Sequence, residues 1–287
     1  MRRIPLLPAL AAGALALTAC GTGQPGALGP SPTPTGCAAA ASAAASPAPE
    51  KDGVRVLGFA AGPPDCVAYE VTNPGSQALT YTIGFTFADA SGGALHHAED
   101  TVEAVVPGRT VRRTFSAGGL SGGSVRALVS TVRSVPADEA PVAGGPSCPP
   151  SGVRVYADEG DAAMGLRVVG LHLENCGTDA YGLDGHPRLE LLDAAHDPVD
   201  GVTVQEGGSG IATGTGADTP PAPLTLRRGE RASATLVWRN TTELGEDAVH
   251  APYVRVWARP GADPVTVTPE LDLGTTGRLG VGAWAKE

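Results

Sequence analysis

The chain has 287 residues, 20 Lys and Arg against 30 Asp and Glu, and a formal net charge of −10. An acidic chain lacks the basic surface by which proteins bind nucleic acid, so we expect no nucleic-acid partner. Its first elements are a positive start, Arg2 and Arg3, and an apolar stretch over residues 4–17. About 14 apolar residues are too few to span the roughly 30 Å of a bilayer core, which predicts a cleaved signal peptide over residues 1–19.

The end of this stretch, Leu17-Thr18-Ala19-Cys20, matches the lipobox of exported lipoproteins, in which the Cys sulfur receives a diacylglycerol before cleavage. Two acyl chains give lasting membrane attachment where one is marginal. We therefore predict that Cys20 is the lipidated first residue of the mature protein. This diacylglycerol is then its membrane partner, at the extracytoplasmic face of the cell membrane. The alternative is an ordinary secretory signal followed by an unrelated cysteine.

Residues 20–53 are mostly Gly, Pro, Ser, Thr and Ala and carry little charge. Such a segment cannot bury enough apolar surface to offset the entropy of ordering, which predicts a disordered tether. The part between Cys20 and Cys37 can extend roughly 50 Å at about 3 Å per residue.

Four cysteines remain besides Cys20, namely Cys37, Cys66, Cys148 and Cys176. An even number in an exported chain favours disulfides, and four cysteines allow three pairings. The nearly equal spacings favour Cys37–Cys66 and Cys148–Cys176. No C-x-x-C pair or Cys-His cluster suggests the alternative of a metal site, so we expect no metal and no cofactor.

Short runs of alternating or β-branched residues follow the tether. They predict strands over 54–57, 66–71, 81–87, 102–106, 110–115 and 125–135, and then over 153–156, 166–173, 187–192, 232–238 and 253–258. Strands at about 8–12-residue spacing with turn signals between them predict an all-β chain of two β-sandwiches. We place the first over residues 54–136, a linker over 137–147 and the second over 148–287.

Three pairs of segments align in the same order in the two halves: 69–78 with 171–180, 85–92 with 189–196, and 107–115 with 228–236. The alignment predicts two tandem immunoglobulin-like β-sandwich domains, with a Gly-rich insertion over 206–223 in the second. The alternative is convergence of unrelated hairpins on the same turn chemistry.

The second half resembles the domain of unknown function 4232 (DUF4232) group, found in exported actinobacterial lipoproteins, over about residues 148–285. The matching series is Cys148, Asn175-Cys176-Gly177, Gly185-His186-Pro187, LELLD at 189–193, the stretch 226–238 and YVRVWARP at 253–260. His186 stands where the group usually has an aromatic residue. The resemblance implies a β-sandwich and an envelope location, and it carries no established activity.

The sequence signals for catalytic and metal-binding residues are weak. Gly119-Leu120-Ser121-Gly122-Gly123 fits G-x-S-x-G, but a nucleophile elbow needs a following helix and the next residues predict a strand. His96 and His97 point to opposite faces of a strand and suit a hairpin rim. Asp158-Glu159-Gly160-Asp161 lacks the ligands of an EF-hand loop. We therefore predict no catalytic residues and no enzyme activity.

Trp238 and Trp257 lie on predicted strands and are expected in the core, whereas Trp284 is left open. The Gly-rich segment 206–219 is the type of long loop that is usually either functional or disordered, and we favour disorder. If the chain binds a ligand, we expect the loop and the neighbouring turn to do so. The candidate residues are Gly207, Ser209, Ile211 and His186. Deleting 207–219 is expected to change stability little.

These observations predict a non-enzymatic envelope lipoprotein that binds an envelope protein, a peptide or a cell-wall polymer through its loops. The alternative is a structural or spacer lipoprotein without a specific ligand. An envelope hydrolase is a remote third reading.

Overall fold

The computed structural model describes residues 37, 50–59, 65–120, 125–141 and 148–287. Within these residues the regular secondary structure is all β-strand, as predicted, and none of the described segments forms a helix able to cross a bilayer. The predicted signal peptide, Cys20 and most of the predicted tether lie outside the described residues.

Residues 54–136, which we call the first module, form six strands in two three-stranded antiparallel sheets. The strands are β1 (Val54–Phe59), β2 (Cys66–Thr72), β3 (Leu79–Ala88), β4 (Ala94–Val105), β5 (Thr110–Ser116) and β6 (Arg126–Pro136). One sheet has the order β1-β2-β5 and the other β4-β3-β6. All six predicted strands are present, and β4 begins earlier than predicted, so that it includes His96 and His97.

Residues 148–287, the second module, form fourteen strands. They are β7 (Val153–Ala157), β8 (Asp161–Ala163), β9 (Leu166–Asn175), β10 (Tyr181–Leu183), β11 (Arg188–Leu192), β12 (Thr203–Glu206), β13 (Leu224–Leu226), β14 (Arg231–Arg239), β15 (Val249–Ala251), β16 (Tyr253–Trp257), β17 (Val265–Val267), β18 (Leu271–Gly274), β19 (Arg278–Val281) and β20 (Ala285–Lys286). The largest sheet has the order β12-β19-β14-β9-β7, with β8 beside β9 and β20 beside β14. A second sheet has the order β11-β16-β17, and β10-β13 and β15-β18 form two-stranded ladders.

Each module has its own apolar core, built by the alternation of side chains along its strands. In the first core, Tyr69, Phe85 and Phe115 are in mutual ring contact, with centroids 4.8–5.9 Å apart. In the second core, Trp238 and Trp284 are both buried. Full burial of one large apolar side chain contributes about 1.5–3 kcal/mol, so these rings are major contributors to folding.

Two buried asparagines make the same hydrogen bonds in the two modules. Asn73 Nδ2 donates to Gln77 O and Val105 O at 2.8 and 2.7 Å, and its Oδ1 accepts from Gly75 N at 2.8 Å. Asn175 Nδ2 donates to the carbonyl oxygens of Asp179 and Leu226 at 2.8 Å each, and its Oδ1 accepts from Gly177 N at 3.1 Å. We call residues 73–78 the Asn73 turn and residues 175–180 the Asn175 turn. The sequence alignment of 69–78 with 171–180 therefore matches a shared local structure.

A second pair of turns is also equivalent. Asp89 Oδ1 accepts from Ser91 N and Gly93 N, and Asp193 Oδ1 accepts from Ala195 N and Asp197 N. The fourth residue of each turn has a positive φ, 91° at Gly92 and 66° at His196. Glycine adopts this conformation without steric cost, whereas His196 does not, which indicates that contacts beyond the turn hold His196 in place.

These contacts lie at the joint between the modules. His196 Nε2 donates to Ser134 O at 2.6 Å, and the His196 ring stacks on Tyr253 at 4.3 Å between centroids. Tyr253 Oη accepts from Ser134 N at 3.2 Å, so two side chains of the second module bind one backbone unit of the first. Beside them, Val135 is buried against Leu192 and Tyr253.

Ion pairs surround this contact. Arg133 of β6 forms a bidentate pair with Glu270, with Nη2 and Oε2 2.7 Å apart. Glu139 accepts from Arg255 Nε at 2.8 Å and from Thr266 Oγ1 at 2.6 Å. Residues 137–147 are predicted as a linker, yet the described part, 137–141, is packed against the second module. Its Glu139 finds partners there that are more than 100 residues away in sequence, which local sequence patterns do not reveal.

The joint connects opposite ends of the two modules. In the first, β2 begins at Cys66, bonded to Cys37, and leads to the Asn73 turn. Residues 75–77 of that turn border the joint together with residues 194–196. The end of the first module that carries Cys37–Cys66, which we call the proximal end, therefore points away from the joint.

In the second module, the Asn175 turn and the Asp193 turn are separated by β10 and β11. β11 begins opposite Trp257, near Arg259 and its contact Tyr181 of β10, and ends at Leu192, opposite Tyr253 of the joint. Because the Asp193 turn borders the joint, the Asn175 turn lies at the far end. This far end also carries the Cys148–Cys176 disulfide, and we call it the distal end.

Candidate functional site

A cleft with two lobes runs from the distal end of the second module toward the joint. One lobe, of about 480 Å³, lies beside the Cys148–Cys176 disulfide and the Asn175 turn. The other, of about 600 Å³, lies along β7 and β17 and reaches residues 137–140. The lobes share five lining residues, Pro149, Pro150, Ser151, Tyr181 and Arg259. We call both lobes together the distal cleft.

Tyr181 and Arg259 form the wall between the lobes. The Arg259 guanidinium carbon lies 3.9 Å from the centre of the Tyr181 ring, and its Nη1 donates to Gly182 O at 3.1 Å. Burial raises the pKa of Tyr181, and the positive charge of Arg259 partly offsets this rise. The phenol is therefore neutral at physiological pH and is suited to hydrogen bonding.

The charges of the distal cleft are mixed. Its lining includes Arg154, Arg228 and Arg259 with Asp138, Asp179 and Asp263, and apolar groups of Pro149, Pro150, Val153, Val155, Val256 and Val265. Arg154 is nearly buried and lies 3.3 Å from Glu174. Apolar walls with a few fixed polar groups are typical of ligand sites, and charges of both signs suit a ligand that is itself polar and apolar in parts, such as a peptide.

The rim of the distal cleft is held by short-range bonds. Gly152 O accepts from both Cys176 N and Gly177 N, at 3.1 and 2.9 Å, and the disulfide links Cys176 to Cys148. Asn175 fixes the other side of the same turn. The rim is therefore preorganised, which lowers the entropy cost of binding.

The predicted binding loop is ordered, which corrects the expectation of disorder. Gly208 N and Ser209 N both donate to Asp218 Oδ1 at 2.7 Å, and Ile211 O accepts from Arg239 Nε at 3.3 Å. Ala217 is completely buried. The loop thus closes on itself and on the sheet.

Glycines make this close approach possible. A Cβ on Gly208 would lie 2.7 Å from Ala217 Cβ, and one on Gly282 would lie 3.1 Å from Ala217 Cα. The insertion is therefore a plug on β14 and β19, and its deletion would expose buried surface. The expectation that residues 207–219 can be removed at little cost does not fit these contacts. Loop length alone missed them because the partners of Ala217 lie far along the chain.

The structure does bring His186 to the predicted loop. Its Nδ1 lies 3.7 Å from Glu206 Oε2, at the start of the loop, and its side chain is mostly buried. The preceding Gly185 O accepts from Trp284 N at 3.0 Å. Gly207 and Ile211 are partly exposed and Ser209 is exposed, so the loop retains a polar outer surface.

The other candidate residues have structural partners. His96 Nε2 donates to Ala117 O, while His97 faces the other side of β4 and contacts Thr86 Oγ1. Asp158 accepts from two backbone N–H groups and contacts His172. Ser121 of the G-x-S-x-G run lies outside the described residues, and the element after it, β6, is a strand as predicted. Among the described residues, no group of three or more His, Cys, Asp and Glu side chains is arranged to hold a metal ion.

The tryptophans follow the core prediction in part. Trp238 is buried and donates to Asp272, and Trp284 is buried and donates to Ala258 O at 2.9 Å. The core prediction for Trp257 is wrong. This side chain lies on the outer face of β16, partly exposed, with the Arg188 guanidinium carbon 3.4 Å from its ring centre. The sequence pattern of this strand did not decide whether Trp257 faces the core or the solvent.

Tyr181 and Arg259 were not predicted as site residues. Arg259 lies in the stretch 253–260 that carries the family resemblance. The only sequence signal was thus a family position without a known role, and the contact itself joins residues 78 positions apart.

No curated protein matches the chain. A family model described as domain of unknown function (DUF4232) matches residues 148–285, which begin at the first cysteine of the distal disulfide and end at the start of β20. The resemblance inferred from the sequence is confirmed: residues 148–285 of this chain match DUF4232.

Proposed function

We propose that this chain is a lipid-anchored envelope protein whose two tandem immunoglobulin-like β-sandwiches carry the distal cleft as a non-enzymatic binding site. The ligand is an envelope protein, a peptide or a cell-wall polymer. The lipobox at Cys20 supports the anchor, and the two disulfides fit an oxidising compartment.

The equivalent turns support the tandem arrangement. A buried asparagine and a capped aspartate recur at corresponding places in the two modules, with the same hydrogen bonds. Turn chemistry alone can make one hairpin alike in two unrelated modules. Recurrence of two different turns in the same order favours two copies of one sandwich.

One observation carries the binding proposal. The smaller lobe of the distal cleft, beside Cys148–Cys176, lies at the end of the second module farthest from Cys37, where the tether joins the folded part. The larger lobe extends from there toward residues 137–140 near the joint. The joint between the modules is fixed by directional contacts to Ser134 and by the Arg133–Glu270 pair. A rigid pair of modules presents its far end at a constant distance from the anchored end. Such an arrangement suits recognition of something outside the membrane.

The second candidate function is a spacer. The same rigid joint favours it, because a spacer needs length and stiffness but no ligand. A preorganised cleft of several hundred Å³ favours binding instead.

In-cell photo-crosslinking separates these functions. A photoreactive residue replaces exposed Thr178 in the distal cleft, exposed Ser209 in the predicted loop, or exposed Asp247 as a matched control. We expect one defined adduct from position 178, absent from position 247 and lost with Arg228→Glu. An adduct from 209 alone would place the binding surface on the loop, and adducts from neither would favour the spacer.

A further inference from the structure

Three large apolar side chains are exposed at the proximal end of the first module. Phe59 is 36%, Leu95 56% and Leu128 42% exposed. Phe59 ends β1, whereas Leu95 and Leu128 lie near the starts of β4 and β6. Because β1 runs toward the proximal end while β4 and β6 run away from it, all three belong to the same end.

Backbone bonds and a hydrogen bond of the His96 side chain connect the segments of Phe59 and Leu95 to the proximal disulfide. Phe59 pairs with Val67, the residue after Cys66. His96, next to Leu95, donates to Ala117 O at 2.9 Å, and Ala117 N in turn donates to Asp65 O at 2.9 Å, one residue before Cys66.

Leu128 lies at the same end of the first module as Leu95. Leu128 pairs with Thr86 of β3, and Thr86 pairs on its other side with His97, two residues after Leu95. Phe59 on one sheet and Leu95 and Leu128 on the other thus lie at the end of the first module to which Cys37 is bonded. We call these three residues the proximal apolar cluster.

The predicted lipid anchor indicates what covers this cluster. The tether from the predicted lipid on Cys20 enters the folded part at Cys37, which is bonded to Cys66. Of the two ends, the proximal end is therefore the one held close to the bilayer. Transfer of exposed Leu and Phe side chains from water to the boundary between headgroups and acyl chains is favourable.

The charges at this end are mixed: exposed Arg126 begins β6 and pairs with Ala88, and the carboxylates of Asp65 and Asp89 lie at the same end. Asp65 accepts from Ser116 Oγ and Gly118 N, and this hydrogen bonding holds its pKa below the usual range. Asp89 is bonded to Ser91 in the same way, with the same effect on its pKa. Both carboxylates therefore remain negative near the surface. With one arginine against two carboxylates, the attraction of this end to a membrane rests on its apolar side chains.

We propose that the first module rests with its proximal apolar cluster in the outer headgroup region of the membrane that holds the lipid anchor. This inference rests on the lipid anchoring in the proposed function. The tether then serves as slack between anchor and module, and the distal cleft points away from the bilayer.

Quenching by brominated lipid tests this inference. The lipidated protein is reconstituted into phosphatidylcholine vesicles with or without lipid brominated near the headgroup end of its acyl chains. The variants are Leu95→Trp and the control Leu244→Trp, whose side chain is fully exposed in the second module. The native tryptophans all lie in the second module and give a constant background.

We expect bromine to quench most of the emission that Leu95→Trp adds and to leave that of Leu244→Trp unchanged. Leu128→Trp is a second reporter should Leu95→Trp not fold, and circular dichroism checks each variant. If the protein floats with the vesicles but both proximal reporters behave like Leu244→Trp, the inference is wrong and the anchoring stands. If the protein does not float with vesicles, the anchoring is wrong and the inference falls with it.

Discussion

Replacing Asn175 by Ala tests whether the Asn175 turn determines the stability of the second module. The asparagine is 1% exposed, donates two bonds of 2.8 Å and accepts one of 3.1 Å. A bond of this kind contributes about 1 kcal/mol net, and the buried carbonyl of Leu226 loses a partner. We expect Asn175→Ala to lower the free energy of unfolding of the second module by about 3 kcal/mol. With a urea m-value of about 2 kcal/mol/M, the midpoint falls by roughly 1.5 M.

The chain provides its own reporter for this measurement. Trp238, Trp257 and Trp284 all lie in the second module, so tryptophan fluorescence follows its unfolding alone. Asn73→Ala is the matched control, because it removes the equivalent three bonds from the first module. It should lower the stability seen by far-UV circular dichroism and leave the tryptophan transition in place.

Two results would refute the reasoning. A midpoint shift below about 0.5 M for Asn175→Ala would show that water replaces the three bonds at little cost. An equal shift of the tryptophan transition by Asn73→Ala would show that the two modules unfold together, with the joint transmitting the loss.

Three further changes test other parts of the second module. Burial alone lowers the pKa of His172, but its hydrogen bonds to two carboxylates, Asp158 among them, outweigh burial and raise it. Stability from this group is therefore full below about pH 6.5 and is lost as pH rises through the folded pKa, and His172→Asn should abolish this dependence in urea titrations at several pH values. Gly208→Ala should destabilise by roughly 2 kcal/mol in urea unfolding, because its Cβ would lie 2.7 Å from a buried methyl group. Replacing Cys148 and Cys176 together by Ala should cost about 3–4 kcal/mol, and alkylation of the unreduced mature protein should add no groups in mass measurement.

Controls make each of these outcomes decisive. Gly182→Ala places a Cβ with no atom within 4 Å, so a similar loss there would remove the packing explanation for Gly208. A pH dependence that persists in His172→Asn would assign it to other groups. Alkylation of four sites without reduction would show that the disulfides do not form in the mature protein.

Local sequence patterns predicted all six strands of the first module and five of the fourteen strands of the second, β7, β9, β11, β14 and β16. Asn followed by one residue and Gly at Asn73 and Asn175 predicts a turn, and each asparagine makes its Oδ1 bond within that turn. Alternation missed the short core strands β17, β18 and β19, whereas the nearly equal cysteine spacings gave the disulfide pairs.

Contacts between residues far apart in the chain could not be predicted from the sequence. The order of the 206–223 insertion depends on Gly208 and Gly282, which have no Cβ and so leave space for Ala217, and no argument from loop length contains this contact. The distal cleft depends on Arg259 reaching Tyr181 across the sheet, and the docking of Glu139 depends on Arg255 and Thr266. Periodicity also left Trp257 free to face either way.

The proximal disulfide determines how the first module carries mechanical load. A pull on the predicted tether enters at Cys37, crosses to Cys66 and passes into β2, which is bonded on one side to β1 and on the other to β5. Residues 38–65, including β1, form a closed loop outside this path. Without the disulfide, the pull would reach β1 first and peel this edge strand from β2 bond by bond. We therefore expect reduction to lower the force at which a single molecule, stretched between Cys37 and the distal end, begins to unfold.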